Sequence, residues 1–167
     1  PVKWRGVPVM SFALWVPDAF QGASMVGSMH ERWLTDAIVH TDWGPIDILI
    51  ADFSAGSGDE YLTVRNTAGP QFQGLVVVSL PHLSTTLQRV YNTASYGRVG
   101  ILGVLENMAG PVFGEGKTRA FCEKHGLRFF GSIPLDQRIR ERHERHEVDL
   151  PDDNAAPGRA AADPIMR

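Results

Sequence analysis

The chain has 167 residues, 43% of them hydrophobic, which is enough for a folded domain with a real core and too apolar for a disordered chain. A formal net charge of −3 gives no electrostatic basis for binding nucleic acid, and the single cysteine, Cys122, excludes an internal disulfide or an all-cysteine metal site within one subunit. No stretch approaches the ~20 apolar residues of a membrane span and no signal-peptide pattern opens the chain, so a cytoplasmic protein with no membrane partner is expected.

In chain order, residues 7–14 predict a first strand. Residues 28–41 predict a helix, with Met29, Trp33, Ala37 and Ile38 at helical spacing. Residues 46–51 predict a second strand, 75–80 a third, 99–105 a fourth and 128–133 a fifth. Each is a short apolar run bounded by Gly or Pro, as in strands buried on both faces. Between them, residues 84–95 carry Leu87, Val90, Tyr91 and Ala94 on one helical face, with Ser84 as N-cap. Residues 117–125 predict a further helix ended by Gly126, with Cys122 packed in the core. This alternation argues an α/β fold: a mostly parallel sheet with helices on both faces. Residues 136–148 predict a charged, solvated helix laced by pairs at i,i+3 and i,i+4, with Asp136 as a possible cap. Residues 151–167, rich in Ala, Pro and Asp, are expected to form a flexible tail after a domain spanning 1–150.

The most informative segment is residues 48–60, I-L-I-A-D-F-S-A-G-S-G-D-E. An apolar run ends in Asp52, and a Gly- and Ser-rich turn leads to Asp59 and Glu60. One reading is a buried parallel strand delivering a carboxylate to the C-terminal edge of a sheet, where α/β proteins bind ligands. There Asp52 would hold Mg²⁺ through coordination water, while Gly56 and Gly58 let the backbone turn sharply and present N–H groups to phosphate. The other reading is an ordinary strand ending in a turn, with the acid capping the next helix. Asp59 and Glu60 are expected to cap that helix rather than orient water.

Taken together, these segments resemble the Mrp/ApbC-type ATPases, the iron–sulfur cluster carriers among the MinD-like P-loop NTPases. The family pattern D-x-L-I-x-D-L-P-P-G-T-G-D-E is met by residues 47–60. L-T-D-x-x-W-G is echoed by Leu34, Thr35, Asp36 and then Asp42, Trp43, Gly44. Residues 74–81, 101–108 (I-L-G-V-L-E-N-M), 113–116 (F-G-E-G) and 130–141 follow in the family's order. The likeness covers roughly residues 6–150. It implies a three-layer P-loop fold, ATP and Mg²⁺ as cofactors, and Asp52 as the catalytic Mg²⁺-linked acid. It further implies Ser57 in place of the family's Thr, Asn107 at the adenine edge and Pro134 against the base. For Asn107 the alternative is an Asx-turn closing the strand, and for Pro134 a plain loop proline.

Two departures qualify the resemblance. The P-loop, close to G-K-G-G-V-G-K-S, does not occur, and Gly116-Lys117-Thr118 lacks both its spacing and its position. The C-P-x-C loop that holds a cluster between two subunits is also missing, because residues 109–112 run straight to Phe113. The expectation is therefore the C-terminal part of an ATP-hydrolysing cluster carrier, with the P-loop strand and helix outside the chain and this chain alone inactive. Such a carrier would work as a homodimer, or as a heterodimer with a complete paralogue, and would serve apo iron–sulfur proteins. The alternatives are a degenerate paralogue acting as a scaffold subunit and a MinD/ParA-like positioning ATPase.

Overall fold

The computed structural model describes residues 1–15, 28–54 and 58–145. They fall into two compact units, Pro1–Phe72 and Gln73–Arg167. The tail expected at 151–167 lies outside the described residues.

In the first unit, β1 (Val2–Trp4) and β2 (Val7–Val9) form an antiparallel hairpin across Arg5 and Gly6, both at positive φ. The strand expected over 7–14 therefore ends at Val9, and Phe12–Trp15 form a turn of 3₁₀ helix instead. Helix α1 (Ser28–Val39) packs on α2 (Asp59–Ala68), and the Thr35 and Thr67 hydroxyls lie 3.4 Å apart across the contact. After α1, the Trp43 indole donates to the Ile38 carbonyl at 3.3 Å, and Asp42 closes a turn on the Gly44 amide.

The strand expected over 46–51 does not form, and Asp52 consequently stands in a loop rather than at a strand's edge. A strand exists through its hydrogen-bonded neighbours, and no strand among the described residues pairs with this run. Ile48 and Ile50 are 77% and 84% exposed.

The second unit holds a fully parallel three-stranded sheet in the order β3 (Leu75–Ser79), β4 (Ile101–Ala109), β5 (Phe129–Pro134). Helices α3 (Ser84–Tyr96) and α4 (Lys117–His125) make the connections, which makes the chain an α/β protein. Gly74 enters β3 at φ +142, and a Cβ there would stand 2.8 Å from the Gly100 carbonyl oxygen, so only glycine fits this approach.

Burial along β3 alternates: Leu75, Val77 and Ser79 are buried while Val76 and Val78 are exposed. Burial on both faces was expected for these strands. Instead, α3 contacts β3 and α4 contacts β4, β5 and α3. Tyr91 of α3 meets Phe121 and His125 of α4, with ring centroids 5.9 and 4.4 Å away.

Ser84 is the first residue of α3 rather than its cap, which is Leu83. Gly126 ends α4 at φ +64, its amide reaching the Cys122 and Glu123 carbonyls, as expected. Helix α5 (Gln137–Glu144) begins on Asp136, whose carboxylate accepts the Arg138 amide at 2.8 Å and pairs with that residue's guanidinium at 2.7 Å. These bonds from Arg138 hold the Asp136 carboxyl below the usual range. Asp136 is thus a cap.

Candidate functional site

The C-terminal edge of the parallel sheet is built around an irregularity in β4. Glu106 and Ser132 form the last regular pair between β4 and β5; pairing then skips to Ala109 and Pro134. Asn107 and Met108 of β4 there oppose the single Ile133 of β5, so β4 carries one extra residue. Met108 takes φ +57, rare for a side chain with Cβ, and its amide donates to Asn107 Oδ1 at 3.0 Å. A bulge of this kind re-aims side chains at the end of a strand. Beyond it, the Leu135 amide donates to the Ala109 carbonyl at 2.9 Å, which fixes Pro134 beside the bulge. Asn107 and Pro134, far apart in sequence, therefore stand at the same end of the parallel sheet, Pro134 opposite Ala109. The Asn107 side chain thus closes on the amide of the next residue, one position short of the Asx-turn expected from the sequence.

Under the bulge lies Glu106, whose side chain is completely buried. Its carboxylate accepts the Gly116 amide at 3.1 Å, the Thr118 amide at 3.2 Å and the Ser132 hydroxyl at 2.9 Å. Helix α4 has no cap from its own residue Gly116, and Glu106 supplies one from the neighbouring strand. Burial pushes the Glu106 carboxyl up, but the bonds from Gly116, Thr118 and Ser132 together outweigh it and hold it below its ordinary value. The Gly116-Lys117-Thr118 triplet is thereby explained. Its amides face an internal carboxylate, the same chemistry that elsewhere cradles a phosphate.

Between bulge and helix, Gly110 and Gly114 exchange backbone hydrogen bonds of 2.9 and 2.7 Å and close a short hairpin. Phe113 at its tip stacks on His82, centroids 5.0 Å apart. This is the stretch where the resemblance places C-P-x-C, and it carries no cysteine. Cys122 sits in α4 at 1% exposure, with its thiol pushed up by burial and then by Glu123.

The remaining candidates belong to the first unit. Asp52 is exposed, and Gly58 is the residue before α2; Gly56 and Ser57 lie outside the described residues. Asp59 and Glu60 open α2, where their charge suits the positive helix end, but the expected side-chain cap is not made at Gly58. Glu60 turns back instead. Its carboxylate accepts the Ser54 amide at 3.2 Å and the Ser54 hydroxyl at 3.5 Å, and His30 of α1 stands 3.5 Å away. Glu60 thus ties the loop after Asp52 to both helices. Glu60→Ala is expected to speed hydrogen exchange of the Ser54 amide roughly tenfold, the loss of about one net hydrogen bond, while global unfolding barely moves. Unchanged exchange at Ser54 would show that the loop is held by other contacts.

A family model described as ParA: NUBPL iron-transfer P-loop NTPase matches residues 1–167. The chain belongs to this family. Within it, the chain is 30% identical over 172 residues to an iron-sulfur cluster carrier protein of Aquifex aeolicus, covering 93% of this chain and 46% of that protein. It is 30% identical over 145 residues to the cytosolic Fe-S cluster assembly factor NBP35 of Kluyveromyces lactis, covering 78% and 44%. A nucleotide-binding protein of Archaeoglobus fulgidus, solved in complex with ADP, superposes with a TM-score of 0.59 at 28% identity, covering 71% of this chain and 53% of that one. The chain spans about half the length of the curated relatives it matches.

In this P-loop NTPase chain, sequence reasoning matched the E-N-M motif but gave its glutamate no role. A signal was available: Glu106 stands two residues after Val104 in an apolar run, so both share one side of the strand. An acid on a buried side must find partners. The return of Glu60 to Ser54 had no such signal, because either acid suits a helix start.

Proposed function

We propose that the chain is the C-terminal part of an ATP-binding, ATP-hydrolysing iron–sulfur cluster carrier whose P-loop lies elsewhere in the full protein. Family membership supports the carrier reading, and the share of its relatives' length supports the reading as a part. The observation that carries the nucleotide role is the placement of Asn107, in the β4 bulge, and Pro134, paired with Ala109 just beyond it, at one end of the parallel sheet. The side-chain amide of Asn107 offers a donor and an acceptor to an adenine edge, and Pro134 an apolar surface to its face.

Asp52 is the acid we assign to Mg²⁺. The described residues contain no group of three or more His, Cys, Asp or Glu side chains placed to hold a metal ion. One carboxylate completed by phosphate oxygens and water is nonetheless a donor set that Mg²⁺ accepts, and the ion would neutralise charge on the transferring phosphate. Gly56, Ser57 and Gly58 would bring backbone amides to that phosphate. Apo iron–sulfur proteins are the expected clients, and a homodimer or a pairing with a complete paralogue the expected assembly. No helix among the described residues is long and apolar enough to cross a membrane. We place the protein in the cytoplasm, in keeping with the cytosolic relative.

The cluster itself does not fit the residues present. A bridging site needs exposed thiolates, whereas Cys122 is enclosed in α4. Anaerobic reconstitution of this chain with iron and sulfide is expected to leave the visible spectrum flat. A stoichiometric brown species lost on Cys122→Ala would overturn this. The cysteine-free hairpin also favours a second reading, a degenerate scaffold subunit, or a positioning ATPase of the MinD/ParA kind. Calorimetry of the full protein with ATP and Mg²⁺ separates the scaffold from both ATPase readings, since binding and turnover rule out the scaffold, and transfer of a cluster to an apo iron–sulfur protein then separates the carrier from the positioning ATPase.

A further inference from the structure

We propose that Glu106 is a positioning residue for base recognition, locking the β4 bulge so that Asn107 and Pro134 present a fixed edge to the nucleotide. This rests on the nucleotide-binding role proposed above. Three elements converge on one buried carboxylate: β4 through Glu106 itself, β5 through the Ser132 hydroxyl, and the start of α4 through the Gly116 and Thr118 amides. Both strands carry part of the proposed edge. Asn107 follows Glu106 directly, and Pro134 stands two residues after Ser132 on the partner strand.

The bulge needs such an anchor. Asn107 and Met108 have left the ladder, and Met108 holds a left-handed φ that favours relaxation to extended backbone. A relaxed bulge restores the two-residue side-chain alternation and turns Asn107 to another face. The contacts on either side oppose this. Behind the bulge, the Glu106–Ser132 bond holds the register of β4 against β5. Ahead of it, the Leu135 amide on the Ala109 carbonyl fixes where the strand resumes. The α4 amides hold the carboxylate itself in place. Glu106 is too buried to touch a ligand, and its action on the base runs through Asn107.

The test compares dissociation constants for ATP and GTP in the full protein and its Glu106→Gln, Ser132→Ala and Asn107→Ala variants. The ratio of the two constants is the readout, because a merely structural loss weakens both nucleotides alike. Glutamine keeps the shape of Glu106 but meets the donors of Gly116, Thr118 and Ser132 with only one oxygen. Glu106→Gln is expected to lower the preference for ATP over GTP roughly tenfold, on the scale of losing a buried hydrogen-bond partner. Ser132→Ala removes one of the carboxylate's donors and is expected to lower it a few-fold. Asn107→Ala sets the full loss.

If Asn107→Ala erases the preference while both other variants keep it, the positioning role is overturned and the nucleotide reading stands. If Glu106→Gln weakens ATP and GTP equally, Glu106 serves stability alone. If Asn107→Ala leaves the ratio unchanged, the base-recognition reading falls and the positioning role with it. Should Glu106→Gln fail to fold, Ser132→Ala decides, since it leaves the carboxylate and both amides in place.

Discussion

Glu106→Ala is expected to destabilise the chain by about 3–5 kcal/mol, several times the effect of an average substitution. The side chain is fully buried, and its removal strands the Gly116 and Thr118 amides and the Ser132 hydroxyl without an acceptor. Each buried donor left unmet costs about 1–3 kcal/mol, and water entering the space left behind recovers part of that. In thermal unfolding the loss corresponds to roughly 10 °C. It also carries a pH signature. The carboxyl is held below its ordinary value in the folded chain, so its stabilisation is fully present above the unfolded value of 4.5 and is lost as pH falls through the folded one. Chemical denaturation between pH 7 and acid pH measures this. The wild type should lose stability below the ordinary glutamate range, and Glu106→Ala should lack that part of the slope. Equal acid slopes, or a cost under about 1 kcal/mol, would show that the three donors find other acceptors.

The parts of the fold legible in the sequence are those whose information is local. Strands β3, β4 and β5 and helices α3 and α4 were readable because apolar runs, helical periods and Gly126 act within a few residues of themselves. The failures share a cause. The run over 46–51 has the composition of a strand, but composition supplies no neighbour, and without a paired edge Ile48 and Ile50 stay exposed. The strand expected over 7–14 was cut short because Arg5 and Gly6, both at positive φ, turn the chain and Val7–Val9 pair back on Val2–Trp4. At the candidate site, the resemblance supplied Asn107 and Pro134 as separate residues. The parallel pairing of β4 with β5 puts both at one end of the sheet, and the irregular register after Glu106 and Ser132, which sets Pro134 against Ala109, leaves no mark in a single sequence. The G-K-T triplet shows the converse. Its amides do meet an anion, as such triplets often do, but the anion is the protein's own Glu106.

Asp52→Asn in the full protein should lower ATP turnover roughly 100-fold or more while ATP binding largely survives, because phosphoryl transfer depends on stabilising charge that develops at the phosphate. The substitution removes one negative charge from the acid we assign to Mg²⁺ and leaves the amides of the phosphate cradle untouched. Asn107→Ala should behave in the opposite way. It should weaken adenine binding by about 1–3 kcal/mol and blur ATP against GTP, with turnover at saturation little changed, because the base does not react. The contrast separates the two roles proposed for these residues, of which Asp52 lies in Pro1–Phe72 and Asn107 in Gln73–Arg167. The chain of 167 residues on its own should show neither effect. The Gly116 and Thr118 amides at the start of α4 are already occupied by Glu106 and are not open to phosphate. Calorimetry with ATP and Mg²⁺ on the full protein, on this chain and on both variants reads all of this directly. Micromolar ATP binding by this chain would require a second phosphate site, and the division of labour argued for Asp52 and Asn107 would then have to be redrawn around it.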